Sequence, residues 1–299
     1  MIINGREIGG GLGPYIVAEA SCNHGGNLDN AIELIEAAKH TGADAVKFQA
    51  YTADTITLDC NKPDFIIQDG LWKGQNLYHL YQKSQTPFEW FPELFRYAGK
   101  VGITIFASAF DLSSVDMLEG LGCPAYKIAS MEITDTPLIR YAANTGKPMI
   151  ISTGIADYNE VLQAFAVCDK DNVAFLHCTS EYPGTVEWSD LYRIPELRLV
   201  LGSNIPIGVS DHTAGPAIVA IASTGLQAAM IEKHLCLDHV KGEDWEFSLP
   251  PEEFKMMVEL VRHTHEAMKP RVFATNPSRQ LRRSLYAVRD IQEGEEFSS

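Results

Sequence analysis

Eight short apolar runs divide the chain from Tyr15 onward, and each ends in polar side chains. Most are separated by segments with helical spacing. The clearest such segment places Leu28, Ile32 and Ile35 on one face, between Asn27 as an N-cap and Gly42 as a stop. The apolar runs cover residues 15–19, 44–48, 102–107, 125–129, 148–152, 173–178, 206–210 and 228–233.

Eight strand and helix units in alternation predict an α/β fold, specifically a closed (β/α)8 TIM barrel. A barrel of this kind needs about 250 residues. The 299 residues, 45% of them hydrophobic, supply one large core and a short appendage. A doubly wound open sheet is the alternative fold.

Polar side chains stand at the carboxyl end of every predicted strand. Buried polar groups cost free energy unless they are paired, so packing alone does not explain eight such ends. Reactive residues of TIM barrels gather at this face, which predicts a single site there. The strand ends carry Glu19, Lys47 with Gln49, Ser108, Lys127 with Ser130 and Glu132, Ser152 with Thr153, Thr179 with Ser180, Ser210 with His212, and Glu232 with His234.

Three segments lie outside the repeating pattern. Asn4-Gly5 between two apolar arms predicts an N-terminal hairpin. The long aromatic segment 50–90 is interpreted either as a lid over the site or as an aromatic face packed on the barrel.

We assign residues 1–266 to the barrel, 267–283 to a linker and 284–299 to the first strand of a truncated further domain, with the strand itself over Leu285–Ile291.

Composition narrows the class of partner. The formal charge of −15 argues against nucleic acid and anionic membrane surfaces. No apolar run reaches the ~20 residues that a membrane helix needs. Six scattered cysteines without a Cys-x-x-Cys pair, and no secretion signal ahead of them, indicate reduced thiols in a cytoplasmic protein.

The strand-end residues permit specific chemistry. His212 and His234 on neighbouring strands form a ligand pair with open positions, suited to a divalent metal acting as a Lewis acid. Lys47 and Lys127 interrupt apolar runs and suit a phosphate, with serine hydroxyls around it; pairing with Glu19, Glu132 or Glu232 is the structural alternative. A Schiff-base lyase would use one of these lysines, but it needs no metal.

Seven motifs in register across nearly the whole chain resemble the sialic acid synthase family. They are Ala18-Glu19 with Asn23-His24, Gly42 to Gln49, Tyr126 to Ser130, Ser152 to Gly154, Cys178 to Pro183, Gly208 to Thr213, and Ile231 to His234. The resemblance implies condensation of phosphoenolpyruvate with an N-acylated amino sugar, giving a nine-carbon 2-keto acid and phosphate. It also implies a homodimer.

The resemblance also implies residue roles. Mn²⁺ or Mg²⁺ on His212 and His234 polarises the sugar aldehyde, and Glu19 moves a proton or orients water. Lys47, Ser108, Lys127, Ser130, Ser152 and Ser210 match phosphoenolpyruvate contacts, while Gln49, Glu132, Tyr182 and Asp244 match positions that face the sugar.

Within the family, segments 70–90 and 243–249 most resemble pseudaminic acid synthases, whose substrate is 2,4-diacetamido-2,4,6-trideoxy-L-altrose. N-acetylneuraminate or legionaminate synthesis is the alternative, and a non-catalytic glycan-binding barrel is a more distant one. Ser180 departs from an asparagine found in several relatives. Residues 283–295 resemble only the start of the family's antifreeze-like (SAF) domain, whose sugar-contacting arginine we therefore expect to be missing.

Overall fold

The computed structural model of the chain describes residues 1–270 and 277–296. Its centre is a closed barrel of eight parallel strands in sequential order, in which the last strand pairs with the first. Closure confirms the TIM barrel and excludes the open sheet. The strands are Tyr15–Glu19 (β3), Ala45–Ala50 (β4), Thr104–Ala109 (β5), Tyr126–Ile128 (β6), Met149–Ser152 (β7), Val173–His177 (β8), Ile207–Asp211 (β9) and Met230–His234 (β10).

Helices surround the barrel and follow the strands along the chain. At the start of the first helix, Leu28–His40, the Asn27 side chain accepts hydrogen bonds from two backbone amides, and Gly42 follows the helix with a φ of 82°, as the sequence predicts. None of the described helices combines the length and apolar character that crossing a bilayer requires. The helices are Leu28–His40 (α1), Ala53–Ile56 (α2), Leu77–Ser84 (α3), Phe91–Val101 (α4), Leu112–Gly120 (α5), Thr136–Ala143 (α6), Tyr158–Ala166 (α7), Arg193–Leu201 (α8), Ala217–Thr224 (α9) and Pro251–Met268 (α10).

Strand register brings the polar ends together. Glu19 lies beside Lys47 across β3 and β4, and Ser108 lies beside Lys127 across β5 and β6. Glu232 lies beside Ser210 across β9 and β10. Because parallel strands all end at the same face of the barrel, these side chains converge at one mouth.

The predicted N-terminal hairpin is formed by Ile2–Ile3 (β1) and Arg6–Glu7 (β2). Its turn residues Asn4 and Gly5 both have positive φ, as a tight hairpin turn requires. Ile3 is buried in the core, and the Asn4 side chain donates to Thr104 Oγ1 at the start of β5. The hairpin therefore lies at the amino end of the barrel, opposite the polar mouth.

Segment 50–90 contains α2, α3 and two 3₁₀ turns, Pro63–Phe65 and Phe88–Trp90. Trp72 lies at the mouth, where its indole nitrogen donates to the carbonyl of Glu243 at 3.3 Å. Phe88 and Trp90, by contrast, pack against the hydrophobic core. Both interpretations thus apply to different parts of the segment.

The chain divides into two compact units after Ala267. In the second unit, residues 277–281 form a 3₁₀ turn and residues 283–291 form no strand, so the strand predicted over Leu285–Ile291 is not observed. A strand needs ladder partners, and the described part of this unit supplies none; Leu285, Tyr286 and Val288 are exposed. Residues 271–276 of the predicted linker and 297–299 of the predicted domain lie outside the described residues.

Candidate active site

A narrow cavity of about 50 Å³ lies at the carboxyl-terminal mouth of the barrel. Side chains from all eight strands, or from the residues just after them, surround it. Eleven residues predicted from the sequence line it: Glu19, Lys47, Gln49, Ser108, Lys127, Ser130, Ser152, Tyr182, Ser210, His212 and His234. Ala129, Cys178 and Glu232 complete the lining.

Two lysines and two glutamates form a buried charge network in this cavity. Lys47 Nζ lies 2.8 Å from Glu19 Oε2 and 3.5 Å from Glu232 Oε2, and Lys127 Nζ lies 3.6 Å from Glu232 Oε1. All four side chains are at most 5% exposed. The lysines therefore contact carboxylates, as in the structural alternative, but the pairing involves Glu19 and Glu232 and not Glu132.

Burial and these contacts separate the proton affinities of the two glutamates. Burial is the largest influence on Glu19 and raises its pKa; the ammonium of Lys47 opposes this shift, and repulsion from Glu232 adds a smaller rise. Burial also opposes ionisation of Glu232, but the ammoniums of Lys127 and Lys47 hold its pKa at about 2. Glu232 therefore stays ionised beside the two ammoniums, whereas Glu19 keeps its proton to a higher pH than a free carboxyl does.

Serine hydroxyls line the wall beside the lysines. Lys47 Nζ donates to Ser108 Oγ at 3.0 Å, and Ser210 Oγ donates to Glu232 Oε1 at 2.9 Å. Ser130 Oγ accepts from the amide of Gly154 at 3.1 Å. Ser152 Oγ is buried with no hydrogen-bond partner among the described residues. A free hydroxyl beside two ammoniums is suited to an anionic oxygen.

His212 and His234 stand together, with ring centroids 5.3 Å apart. Burial lowers the pKa of His212 to about 3 and that of His234 well below its ordinary value, so both rings are neutral. His234 Nδ1 is buried without a hydrogen bond, although Asp244 Oδ2 lies 3.6 Å away. Neutral imidazoles with a free nitrogen are the form that binds a divalent metal.

No group of three or more His, Cys, Asp or Glu within residues 1–270 and 277–296 is arranged as a metal site. The two neutral imidazoles, with Asp244 beside His234, are the residues that could hold a metal ion at this mouth. Three other histidines, His24, His177 and His239, do not line the cavity. His177, for example, contacts the carbonyl of Ser189 at 2.7 Å.

Aromatic rings cover the histidines on the outer side. The Tyr182 ring lies 4.3 Å from that of His212, and the Phe247 ring lies 4.9 Å from that of His234. Trp72 packs on both of these aromatic residues, at 6.1 and 6.2 Å between centroids. Segment 50–90 thus supplies part of an aromatic wall above the two imidazoles.

Glu132 and Asp244 are predicted site residues that do not line the cavity. Asp244 Oδ2 accepts from Ser21 Oγ at 2.5 Å and faces His234, so it lies at the edge of the site. Glu132 follows β6 in a 3₁₀ turn, and burial raises its pKa to about 7. Its Oε2 is buried without a hydrogen-bond partner in the described chain.

Comparison with known proteins identifies the family. The model of the NeuB family matches residues 34–272. The pseudaminic acid synthase of Helicobacter pylori is 42% identical over 94% of this chain and 85% of its own length, and that of Campylobacter jejuni serotype O:2 is 41% identical over 95% and 84%. The chain belongs to the NeuB family. A crystal structure of the N-acetylneuraminic acid synthetase of Leptospira borgpetersenii is similar to this NeuB-family barrel, with 30% identity, a TM-score of 0.82 and 94% of each chain covered.

Membership of the NeuB family confirms the resemblance drawn from the seven motifs. Sequence reasoning placed Glu232 at a strand end and offered it as a lysine partner but gave it no role in the site, and it did not single out the other two cavity residues, Ala129 and Cys178. The position of Glu232 in the cavity agrees with its place two residues before His234, because strand residues at that spacing share a face. Cys178 Sγ lies 3.8 Å from His212 Nδ1, a contact between β8 and β9 that no spacing along the chain indicates.

Proposed function

We propose that this NeuB-family chain is a pseudaminic acid synthase. It would condense phosphoenolpyruvate with 2,4-diacetamido-2,4,6-trideoxy-L-altrose to a nine-carbon 2-keto sugar acid and phosphate. The observation that carries the proposal is the enclosed mouth in which two ammoniums, serine hydroxyls and a pair of neutral imidazoles face one another. The 41–42% identity to two pseudaminic acid synthases supports this choice of sugar.

Phosphoenolpyruvate would occupy the lysine side of the cavity. Lys47 and Lys127 supply two positive charges that are nearly sealed from water, where attraction for a phosphate or carboxylate is strongest. Ser108, Ser130, Ser152 and Ser210 supply donors or acceptors around the same space. Binding would exchange lysine contacts with Glu19 for contacts with the substrate anion, because Glu19 has a single lysine partner.

His212 and His234 would hold a divalent cation, Mn²⁺ or Mg²⁺. The bound ion would supply Lewis-acid polarisation of the aldehyde oxygen of the open-chain sugar. The two imidazoles are neutral and one nitrogen is free, as this role requires. Asp244 Oδ2 lies 3.6 Å from that same nitrogen of His234, so this carboxylate would place a negative charge next to the cation.

The carbon skeleton forms by attack of C3 of phosphoenolpyruvate on the sugar aldehyde carbon, which becomes the C4 hydroxyl centre of the product. Water then adds at C2, and the resulting tetrahedral carbon expels phosphate with cleavage of the C–O bond. Glu19, whose pKa is raised by burial, would take the proton of that water. Lys47 and Lys127 hold the phosphate that leaves.

The sugar would lie under the aromatic wall of Tyr182, Phe247 and Trp72. This sugar carries a methyl group and a second acetamide where N-acetylmannosamine has hydroxyls. Aromatic rings bury such apolar groups favourably. Gln49 donates to Glu19 Oε1 and to Ser21 Oγ at 2.9 Å each, and lies between the two substrate positions.

We further propose that the enzyme is a cytoplasmic homodimer. Six free cysteines within the described residues agree with a reducing compartment. Val186, Trp188 and Tyr192, between β8 and α8, are 62–77% exposed, as apolar side chains are where a partner covers them. Sedimentation velocity would test the dimer, since a monomer at micromolar concentration would contradict it.

A competition experiment tests the choice of sugar. The purified full chain is incubated with phosphoenolpyruvate, Mn²⁺ and an equimolar mixture of three sugars: the trideoxy-altrose, its legionaminate-type isomer and N-acetylmannosamine. Products are separated by chromatography before mass analysis, because the two diacetamido isomers have equal mass. Product from the altrose in excess supports the proposal, whereas preference for either other sugar reassigns the substrate within the family.

A further inference from the structure

A buried ion pair lies directly behind the two histidines, outside the cavity. Lys233 Nζ lies 2.6 Å from Asp211 Oδ2, and the two residues are 0% and 4% exposed. Neither residue lines the cavity, although Ser210, His212, Glu232 and His234 do. Alternation along the strands explains this, because Asp211 and Lys233 point away from the barrel axis.

The pair occupies the last rung of the β9–β10 ladder. The register between these strands ends at Lys233 opposite Asp211. His212 and His234 each come one residue later, where pairing between β9 and β10 no longer holds the backbone. The contact between Lys233 and Asp211 is therefore the last one that joins β9 to β10 before His212 and His234.

Thr213 joins the pair and encloses His212. Its amide and hydroxyl donate to Asp211 at 3.0 and 3.1 Å, and its carbonyl accepts from Lys233 Nζ. One ammonium thus contacts the residues on both sides of His212. The amide of Gly184 also donates to the His212 carbonyl at 2.9 Å, which ties the loop carrying Tyr182 to the same point.

We propose that Asp211, Lys233 and Thr213, here called the clasp, are positioning residues that set the separation of the His212 and His234 imidazoles. A gain in stability does not explain well why an ion pair is buried here, because a buried ion pair is often no more stable than apolar side chains of similar volume. The placement of the imidazoles explains it better, since a misplacement of about 1 Å at a reacting centre costs about 10²-fold in rate.

The decisive variant is Asp211→Asn/Lys233→Met, which removes both charges and leaves no unpaired ion in the core. Its crystal structure should show the imidazole centroids displaced by about 1 Å or more, since support behind metal ligands governs their orientation. Calorimetric titration with Mn²⁺ alone should show affinity weakened by about 10–100-fold. Because Lys47 and Lys127 lie on other strands, kcat should fall by a similar factor while the KM for phosphoenolpyruvate stays unchanged.

The matched control is Glu119→Gln/Lys147→Met. This ion pair has an N–O distance of 2.8 Å, and Lys147 precedes β7 at the amino end of the barrel, away from the cavity. The control should leave ring separation, Mn²⁺ affinity and kcat as in the wild type. Should the double clasp variant fail to fold, Thr213→Val removes one hydrogen bond to Asp211 and should lower kcat by about fivefold at constant KM for phosphoenolpyruvate.

Wild-type ring separation in the folded clasp variant would overturn the proposal, and so would wild-type kcat in Thr213→Val. The kinetic readouts rest on the proposed function, but the ring separation needs neither metal nor substrate. A wild-type protein that binds no Mn²⁺ and makes no sugar acid would therefore refute the synthase while leaving the clasp to be judged from the two structures.

Discussion

Replacing Glu132 with glutamine should remove the contribution that this carboxyl makes to the pH dependence of stability. Burial raises the pKa of this carboxyl from 4.5 to about 7. Between these values the folded state holds a proton that the unfolded state releases, so the wild type loses stability as pH rises through that window and reaches a plateau above pH 7. Glutamine is neutral throughout and escapes this loss.

The size of the effect follows from the two pKa values. One pKa unit corresponds to about 1.4 kcal/mol, so the buried charge of Glu132 costs about 3 kcal/mol at pH 8 and little at pH 4.5. Relative to the wild type, Glu132→Gln should thus gain about 3 kcal/mol between pH 4.5 and pH 8. The glutamine amide forms different hydrogen bonds from a protonated carboxyl. The resulting difference in the free energy of unfolding is the same at every pH.

Urea unfolding at pH 4.5, 6 and 8 measures this gain for Glu132→Gln and for the control Glu259→Gln. Glu259 is an exposed carboxylate on α10, so the same substitution there changes no buried group. The control difference should stay constant with pH. A Glu132→Gln difference that is equally constant would refute the assignment of Glu132 as a buried, proton-holding carboxyl.

Three further outcomes are expected. Glu232→Gln leaves Lys47 and Lys127 without their shared carboxylate, so urea unfolding should show the fold destabilised by about 3–5 kcal/mol. A loss below about 1 kcal/mol would show that this residue does not hold the lysines. Exhaustive chelation should abolish phosphate release, and Mn²⁺ or Mg²⁺ should restore it; turnover that survives chelation would contradict the metal role of His212 and His234. Trp72→Ala, which removes one ring of the aromatic wall, should raise the KM for the sugar by about tenfold while Trp72→Phe raises it less; an equal rise in the KM for phosphoenolpyruvate would show general damage to the mouth.

Sequence periodicity predicted the barrel well because each strand is buried on both faces and reads as an apolar run. All eight predicted runs are strands, with ends displaced by at most two residues. Convergence at one face follows from parallel topology alone, which is why eleven predicted residues meet in one cavity. The prediction for Leu285–Ile291 was wrong because strand propensity does not supply the ladder partner that a strand needs.

Contacts between strand ends were less accessible from the sequence. Nothing in the spacing of Lys47, Lys127 and Glu232 says that one carboxylate is shared by both ammoniums, since this depends on barrel closure. The clasp was likewise missed, because Lys233 stands next to His234 yet points to the opposite face of the strand. Alternation gives the face of a side chain, but only the folded chain gives its partner.

An isotope experiment tests the central claim, which is that this mouth joins phosphoenolpyruvate to an amino sugar. Phosphoenolpyruvate carrying ¹⁸O at the bridging oxygen is turned over with Mn²⁺ and the trideoxy-altrose, and the phosphate and sugar acid are analysed by mass. The account predicts sugar-dependent phosphate that retains the label, together with a nine-carbon acid whose C2 oxygen comes from water. Unlabelled phosphate, or labelled phosphate released without sugar, would contradict it.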